Sequence, residues 1–414
     1  MTTGQATQCR NCGSDLSLEL CDLGMQPPSN YNLKPEELNG VEEFMPLRAL
    51  VCESCWLVQL DYFEDASRLF SDDYAYFSSF STSWLAHAKA YAEAMTKRFG
   101  LTGDSFVVEL ASNDGYLLQY FKGAGMRVLG VEPSANVAQA AKDNHGIDSA
   151  IDFFGVATAK ALAAKHGKAD LMAANNVLAH VPDIRDFVGG VPEILAPEGA
   201  MTFEFPHLLS LLTRNQFDTI YHEHFSYLSL LAVQSVLKTA GLRVFDVEEI
   251  PTHGGSLRVF CCHEGAAHAE TPAVAACLAT ERAAGLAAPE VYRAYQGRVD
   301  KVKHDLLKFL IAVREEGRTV MGYGAPAKGN TLLNYAGIRK DLMHSVVDRS
   351  PQKQGRFLPG THLPVYAPEK IEELRPDYVV IMPWNLREEI AAQLAHIRDW
   401  GGKFVVAIPE IEVF

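Results

Sequence analysis

Phe106-Val107-Val108-Glu109-Leu110-Ala111-Ser112-Asn113-Asp114-Gly115-Tyr116-Leu117-Leu118 is the stretch that decides the fold, together with Val128-Leu129-Gly130-Val131-Glu132-Pro133 shortly after it. Each half is a short β-branched run, suited to a buried parallel strand, that ends in a carboxylate. Between them the chain turns through small and polar residues into a helical pattern over 116–121. This is a strand–loop–helix–strand unit with one acid at the tip of each strand. Open α/β sheets take their ligands at the carboxyl ends of strands.

The loop chemistry narrows the ligand. Residues 109–115 form a worn acid-x-Gly-x-Gly-x-Gly loop, with Ala111 in the first glycine place and only Gly115 retained. A dinucleotide site needs close backbone approach to a pyrophosphate at a helix N-terminus. Here Glu109 and Asp114 put negative charge where the pyrophosphate would lie. An adenosine ligand without phosphate and with a cationic end fits better, and S-adenosylmethionine is such a ligand. Glu132 is then placed to accept hydrogen bonds from the ribose hydroxyls. The plain alternative is a doubly wound domain that merely carries acids at its sheet edge. On the methyl-donor reading the cofactor contacts are Glu109, Ala111, Asn113, Gly115, Tyr116, Glu132, Pro133, Asp152, Phe153, Asn175 and Asn176.

Eight cysteines occur, four of them as Cys9-x-x-Cys12 and Cys52-x-x-Cys55. In a reducing compartment such paired units read as a metal site rather than disulfides. Two knuckles complete the tetrahedral thiolate shell that zinc prefers, and four protein ligands leave no position for water, so the ion is structural. A redox dithiol is the alternative. Cys21, Cys261, Cys262 and Cys277 have no ligand spacing and read as small buried hydrophobes.

The 414 residues suggest two or three domains at about 150 residues each. With 48% apolar and 21% charged residues the composition is that of a globular protein. A net charge of −14 argues against nucleic acid or an anionic membrane as partner. No apolar run reaches the roughly 18 residues of a membrane span. Residues 1–8 lack the basic and apolar regions of a secretory signal, so a cytoplasmic protein is expected.

The chain divides into residues 1–70, a zinc ribbon-like domain with strands at 46–51 and 56–60; 71–264, a doubly wound methyl-donor domain; 265–316, a helical linker broken at Pro289; and 317–414, a second, Rossmann-like α/β domain. Residues 71–83 are rich in aromatics and hydroxyls and precede a helix at 84–99. Further strands are expected at 151–154, 169–177, 199–206, 242–247 and 255–262, and a helix at 230–240 with Ser229 as its N-cap and Gly241 as its stop. Alternation of this kind predicts a mostly parallel sheet with helices on both faces. In the last domain strands are expected at 344–348, 377–382 and 403–408.

Gly322-x-Gly324-x-x-Ala327 fits the dinucleotide fingerprint, with Asp348 near the place of its ribose acid. That makes an NAD(P)-dependent nucleotide-sugar oxidoreductase the competing reading. The loop also offers backbone N–H groups and the Lys328 ammonium to a diphosphate. A tight strand-to-helix turn that needs glycine for geometry is the plain alternative.

Tyr221-His222-Glu223-His224-Phe225-Ser226-Tyr227 is the densest ionisable cluster. Histidines at i and i+2 do not match the i, i+4 spacing of a helical zinc site. In an extended segment His222 and His224 share one face and Tyr221 and Glu223 the other. A histidine titrates near neutral pH and can take a proton. His180, in Asn175-Asn176-Val177-Leu178-Ala179-His180, and Thr252-His253-Gly254-Gly255 are further candidates; His180 either contacts substrate or caps a helix.

In combination these motifs resemble the three-domain sugar C-methyltransferases of deoxysugar biosynthesis. The likeness rests on the two cysteine pairs, Tyr74-x-Tyr76-x-Ser78-Ser79, 108–115, 176–180, Glu223-His224-Phe225, His253-Gly254-Gly255 and the loop from Gly322 to Lys328, and it spans nearly the whole chain. It implies methylation of a carbon beside the ketone of a nucleotide-linked 4-keto-deoxysugar, at C3 or C5, with S-adenosylmethionine as donor. It implies His224 as base, Glu223 and Tyr221 as its neighbours, and Tyr76 and His180 as groups facing the reacting sugar. The substrate contacts it implies are Tyr74, Ser78, Ser79, Gly254, Gly255, Tyr323, Gly324, Lys328 and Asn330. A monomer or homodimer is expected.

Overall fold

The computed structural model describes residues 4–63 and 77–414. Four strands open the chain: β1 (Gly4–Gln5), β2 (Leu18–Gln26), β3 (Met45–Val51) and β4 (Val58–Leu60), with β5 (Tyr62–Phe63) pairing back on β1. β2, β3 and β4 form an antiparallel sheet whose inward residues, Leu47, Ala49 and Val51, are wholly buried. The second strand starts at Val58 rather than at 56, because Trp56 has a left-handed backbone (φ 59) inside the second cysteine knuckle.

Helix α1 (Thr82–Phe99) begins two residues before the sequence pattern suggests. Ser81 is its N-cap, accepting from the Trp84 N–H, and Gly100 at φ 61 ends it. The central lobe follows with β6 (Phe106–Leu110), α2 (Leu118–Gly123), β7 (Arg127–Val131), α3 (Ala135–His145), β8 (Ser149–Ala150), α4 (Val156–His166), β9 (Ala169–Asn175), α5 (Ile184–Ile194) and β10 (Leu195–Pro206). After α6 (Leu208–Thr213) and β11 (Ser226–Tyr227) come α7 (Leu230–Lys238), β12 (Leu242–Ile250) and β13 (Ser256–His263). The seven-stranded sheet has the order β12-β13-β10-β9-β6-β7-β8, with β13 alone running antiparallel to the other six strands. All five β6 residues are buried, as a β-branched run covered on both faces requires.

The strand expected at 151–154 is not there. β8 ends at Ala150, and Ile151 and Phe153 are exposed in the loop beyond it. The helix expected from 116 starts at Leu118, because Gly115 (φ 78) and the turn after it use up two residues. Strand order reverses between β6 and β9, so the ligand crevice of this sheet lies at Glu109 and Asn175.

β11 lies in the central part of the sequence but pairs with β4, joining the N-terminal sheet. The linker carries α8 (Pro272–Ala283), α9 (Glu290–Arg293) and α10 (Tyr295–Glu315). Along α10, Val299, Val302, Leu306, Leu310 and Val313 are buried at helical spacing and join β2, β3 and the last lobe in one core. That lobe has β14 (Val320–Tyr323), α11 (Ala327–Tyr335), β15 (Val346–Val347), β16 (Val365–Tyr366), α12 (Lys370–Leu374), β17 (Tyr378–Ile381), α13 (Arg387–Gln393), β18 (Lys403–Val406) and β19 (Glu412–Val413). Its sheet order is β16-β15-β14-β17-β18-β19, antiparallel only at β19. No helix among the described residues is long and apolar enough to cross a membrane.

Candidate active site

The two knuckles bring Cys9, Cys12, Cys52 and Cys55 together with all four sulfur atoms within 4.8 Å of one another. Cys9 and Cys55 Sγ are 3.6 Å apart and Cys12 and Cys52 Sγ 3.4 Å. A tetrahedral ion with bonds of about 2.3 Å needs sulfurs roughly 3.8 Å apart, so the set fits zinc. Arg10, inside the first knuckle, donates to the Phe225 carbonyl (2.6 Å) and the Leu60 carbonyl (2.7 Å). The metal centre is thus tied directly to the residue after His224. Cys21, Cys261, Cys262 and Cys277 are all buried apart from it.

At the switch point of the central sheet, Glu109 is wholly buried and neither of its oxygens has a hydrogen-bond partner of good geometry. Burial, with the charges of Asp114 and Glu132 behind it, raises its carboxyl well above the ordinary range. Burial also raises Glu132, whose oxygens accept from the Asn113 and Ser134 N–H groups at 2.9 Å. Ala111 (φ 51) and Asn113 (φ 48) hold left-handed turns that L-residues seldom adopt, so the loop keeps the glycine geometry without the glycines. A buried carboxyl at the end of a strand beside the switch point is a place where a cationic ligand group would favour the charged form. Asn175 places Nδ2 3.5 Å from the Tyr116 hydroxyl. Pro133 is half-buried, Phe153 exposed, and Asp152 accepts from Thr158 Oγ1.

Ser78 and Ser79 are anchored on the donor loop. The Ser78 N–H donates to Asn113 Oδ1 (2.9 Å), and Ser79 donates through both N–H (3.2 Å) and Oγ (2.5 Å) to Asp114 Oδ2. This segment therefore straps the donor loop. Asp114, read as a charge for the donor, spends that oxygen on the strap. Tyr74 and Tyr76 lie outside the described residues.

Residues 221–224 form a turn ahead of β11, closed by the His224 N–H on the Tyr221 carbonyl at 2.9 Å, so the expected division of faces fails. Tyr221 and His224 lie together: the Tyr221 hydroxyl donates to His224 Nε2 at 2.8 Å, with ring centroids 4.0 Å apart. His224 Nδ1 donates to the Thr219 carbonyl at 2.8 Å. His222 turns away, buried, with Nε2 3.2 Å from the Pro46 carbonyl. The cause is tertiary: Arg10 and β4 pin the chain just after His224. Glu223 accepts from Asn30 Nδ2 at 2.7 Å, and its backbone carbonyl accepts from His180 Nδ1 at 2.8 Å. The His180 and His224 rings meet edge-on at 4.6 Å. Burial drives His224 well below its usual value, reinforced by His180, and lowers His180 to about 4. Both are neutral bases at pH 7.

Lys328 sits on the first turn of α11. Its ammonium sits 4.1 Å above the Trp384 ring and bonds Asn385 Oδ1. Burial lowers it to about 8 despite the opposing charge of Asp218, and burial raises Asp218 to about 6. Trp384 Nε1 donates to Asp218 Oδ2 at 2.7 Å, closing the cleft between central and C-terminal lobes. Several residues expected at the substrate are taken up by packing. A Cβ on Gly254 (φ 88) would lie 2.5 Å from the Trp384 ring, and Gly255 (φ 117) lies against Ser210. Asn330 is buried and donates to the Ser29 carbonyl. Tyr323 is buried at the end of β14. Gly254→Ala is expected to cost about 1–3 kcal/mol of stability, read as a lower urea midpoint, because both φ and the tryptophan oppose the methyl group.

The nicotinamide alternative finds no support. The space before Gly324 is filled by Pro383, which a Cβ would approach to 2.7 Å. Asp348 accepts from the Ala325 and Ser350 N–H groups (2.7 and 2.8 Å). The loop spends its geometry on its own packing.

Sequence reading missed a second polar cluster. Glu204, wholly buried at the end of β10, accepts from His87 Nε2 (2.9 Å), Arg258 Nη2 (3.1 Å) and Thr252 Oγ1 (3.2 Å). Trp84 stacks on His87 and Tyr116 and meets His253 edge-on. A lone carboxylate in the apolar run 200–205 was the available signal.

A class I sheet order, a carboxylate at its switch point and a four-cysteine domain define an S-adenosylmethionine-dependent methyltransferase with a zinc-binding domain. The chain belongs to the C-methyltransferase family: it is 38% identical to C-methyltransferase NovU of Streptomyces niveus over 98% of its own length and 96% of that protein. Family models match as a zinc binding domain over residues 9–70, a methyltransferase domain over 84–247 and a C-methyltransferase C-terminal domain over 251–409. Among solved structures it is similar to magnesium protoporphyrin IX methyltransferase of Synechocystis, with 14% identity, 47% of this chain and 91% of that one covered, and a TM-score of 0.36. It is also similar to an S-adenosylmethionine-dependent methyltransferase of Clostridium acetobutylicum, with 11% identity, 42% and 90% covered, and a TM-score of 0.34.

Proposed function

We propose that the protein methylates a carbon beside the ketone of a nucleotide-linked 4-keto-deoxysugar, with His224 as the base. The observation that carries this is the Tyr221–His224 pair, its Nδ1 fixed on a backbone carbonyl and its Nε2 lone pair directed at a hydroxyl. A neutral imidazole so held can take an α-proton, directly or through the tyrosine oxygen. The resulting enolate is the electron-rich carbon that a sulfonium methyl requires. Lys328, from the opposite lobe, is the cation for a substrate diphosphate. Glu109, Glu132, Asn175 and Asn176 hold the donor, and the proposed zinc serves architecture alone.

The substrate is a small molecule, the protein works in the cytoplasm as a monomer or homodimer, and its domains divide near 70, 264 and 316. The test is a mass-spectrometric screen of nucleotide-linked 4-keto-sugars with the methyl donor. A gain of one methyl group on carbon is expected. Methylation at oxygen, or at no sugar tried, would overturn the assignment.

A further inference from the structure

An enolate forms readily only if something stabilises its oxygen, and this requirement separates the three histidines of the cleft. Neutral His180 carries its proton on Nδ1, which is spent on the Glu223 carbonyl. Neutral His224 likewise spends its proton on the Thr219 carbonyl. Neither ring, while neutral, has an N–H left to offer a substrate oxygen. His253 is the reverse. Asn176 Nδ2 lies 3.1 Å from His253 Nε2, so this nitrogen accepts and the ring proton sits on Nδ1. Nδ1 has no hydrogen-bond partner among the described residues.

The backbone singles out the same pair. His253 (φ 54) and Asn176 (φ 56) are both left-handed non-glycine residues, from separate loops, joined through their side chains. Such strain persists where the surroundings over-determine it, and it concentrates at functional sites. Asn176 follows β9 at the switch point, and its N–H donates to the Glu204 carbonyl at 2.7 Å. The loop bearing His253 is held from both sides, by Thr252 on Glu204 and by Gly254 against Trp384. The ring of His253 is open to the cleft, with Trp84 at its edge.

Resting on the proposed reaction, we infer that His253 is a further catalytic residue: its Nδ1–H donates to the ketone oxygen as negative charge develops there. The base takes the α-proton, the C–H pair becomes the C=C bond, and the carbonyl π pair moves onto the oxygen that His253 meets. The enolate carbon then bonds the methyl group as the C–S pair returns to sulfur, and the ketone reforms. A neutral imidazole is a suitable donor because it need not give up its proton.

The test is deuterium wash-in at the α-carbon in the presence of S-adenosylhomocysteine, which reads enolisation without methyl transfer. Glycine accepts the φ of residue 253, so His253→Gly removes the donor without straining the turn. Exchange is expected to fall about 10²–10³-fold, far more than S-adenosylhomocysteine affinity, which changes only as far as Asn176 loses its partner. Added imidazole should restore it, whereas 1-methylimidazole, equally basic but without an N–H, should not. Unchanged exchange in the variant, rescue by both compounds, or rescue by neither would overturn the inference. Wild-type protein that exchanges no α-proton in any keto-sugar would instead overturn the reaction itself.

Discussion

Replacing His224 by alanine is expected to lower α-carbon exchange and methyl transfer together by about 10²–10⁴-fold, while S-adenosylhomocysteine still binds. The two losses should match because the same proton transfer precedes both. The donor crevice lies at Glu109 and Asn175, on strands that His224 does not support. Exchange that persists unchanged in the variant would remove His224 as the base. Tyr221→Phe is the finer probe. The tyrosine hydroxyl donates to the neutral imidazole and so opposes its protonation; without it the acid limb of kcat/KM should move to higher pH.

The pH dependence has a definite sign. His180 and His222 are lowered to about 4 by burial, and burial also holds His224 well below its usual value. Against an unfolded value of about 6.5, the folded chain binds fewer protons at these sites in between. Stability should therefore be full above pH 6.5 and decline as pH falls toward 4. Activity should hold below pH 6.5, because the base stays unprotonated there. An acid limb centred at or above 6.5 in the wild type would contradict the buried, neutral imidazole.

What could be read from sequence was whatever local pattern alone determines. The apolar runs at 106–110 and 169–175 are strands because both of their faces are covered, and Ser229 caps α7 through its own hydroxyl. The four cysteines declared themselves by spacing. Residues 151–154 misled because an apolar run in a loop looks like a strand when the covering layer is unknown. Tyr221 and His224 were put on opposite faces because nothing in seven residues reveals a turn imposed by Arg10 and β4. Asn330 looked like part of a diphosphate loop, yet its amide is used to seat the N-terminal lobe. Glu204, His87 and Trp384 come from three distant segments, and only the folded chain brings them to one cleft.

Removing the metal is expected to have the other large effect, and the path is visible atom by atom. Structural zinc contributes about 10–16 kcal/mol of apparent binding free energy, comparable to or above the roughly 5–15 kcal/mol that stabilises a domain. Without it the knuckles separate, and Arg10 loses the frame that aims it at the Phe225 and Leu60 carbonyls. β11 then loses its hold on β4, since the pairing spans only Ser226–Gln59 and Tyr227–Val58. His224 lies only two residues before that segment. Chelation, or Cys52→Ser, should therefore abolish α-proton exchange and lower the melting temperature, while the donor crevice on β6 and β9 keeps much of its affinity for S-adenosylhomocysteine. Arg10→Met offers the same test with zinc retained. It leaves two backbone carbonyls without their charged donor, which costs about 1–3 kcal/mol, and it should depress exchange more than donor binding. Full exchange in the chelated protein would mean that the four-cysteine domain does not position the base, and that the Arg10 contacts only pack one lobe against another.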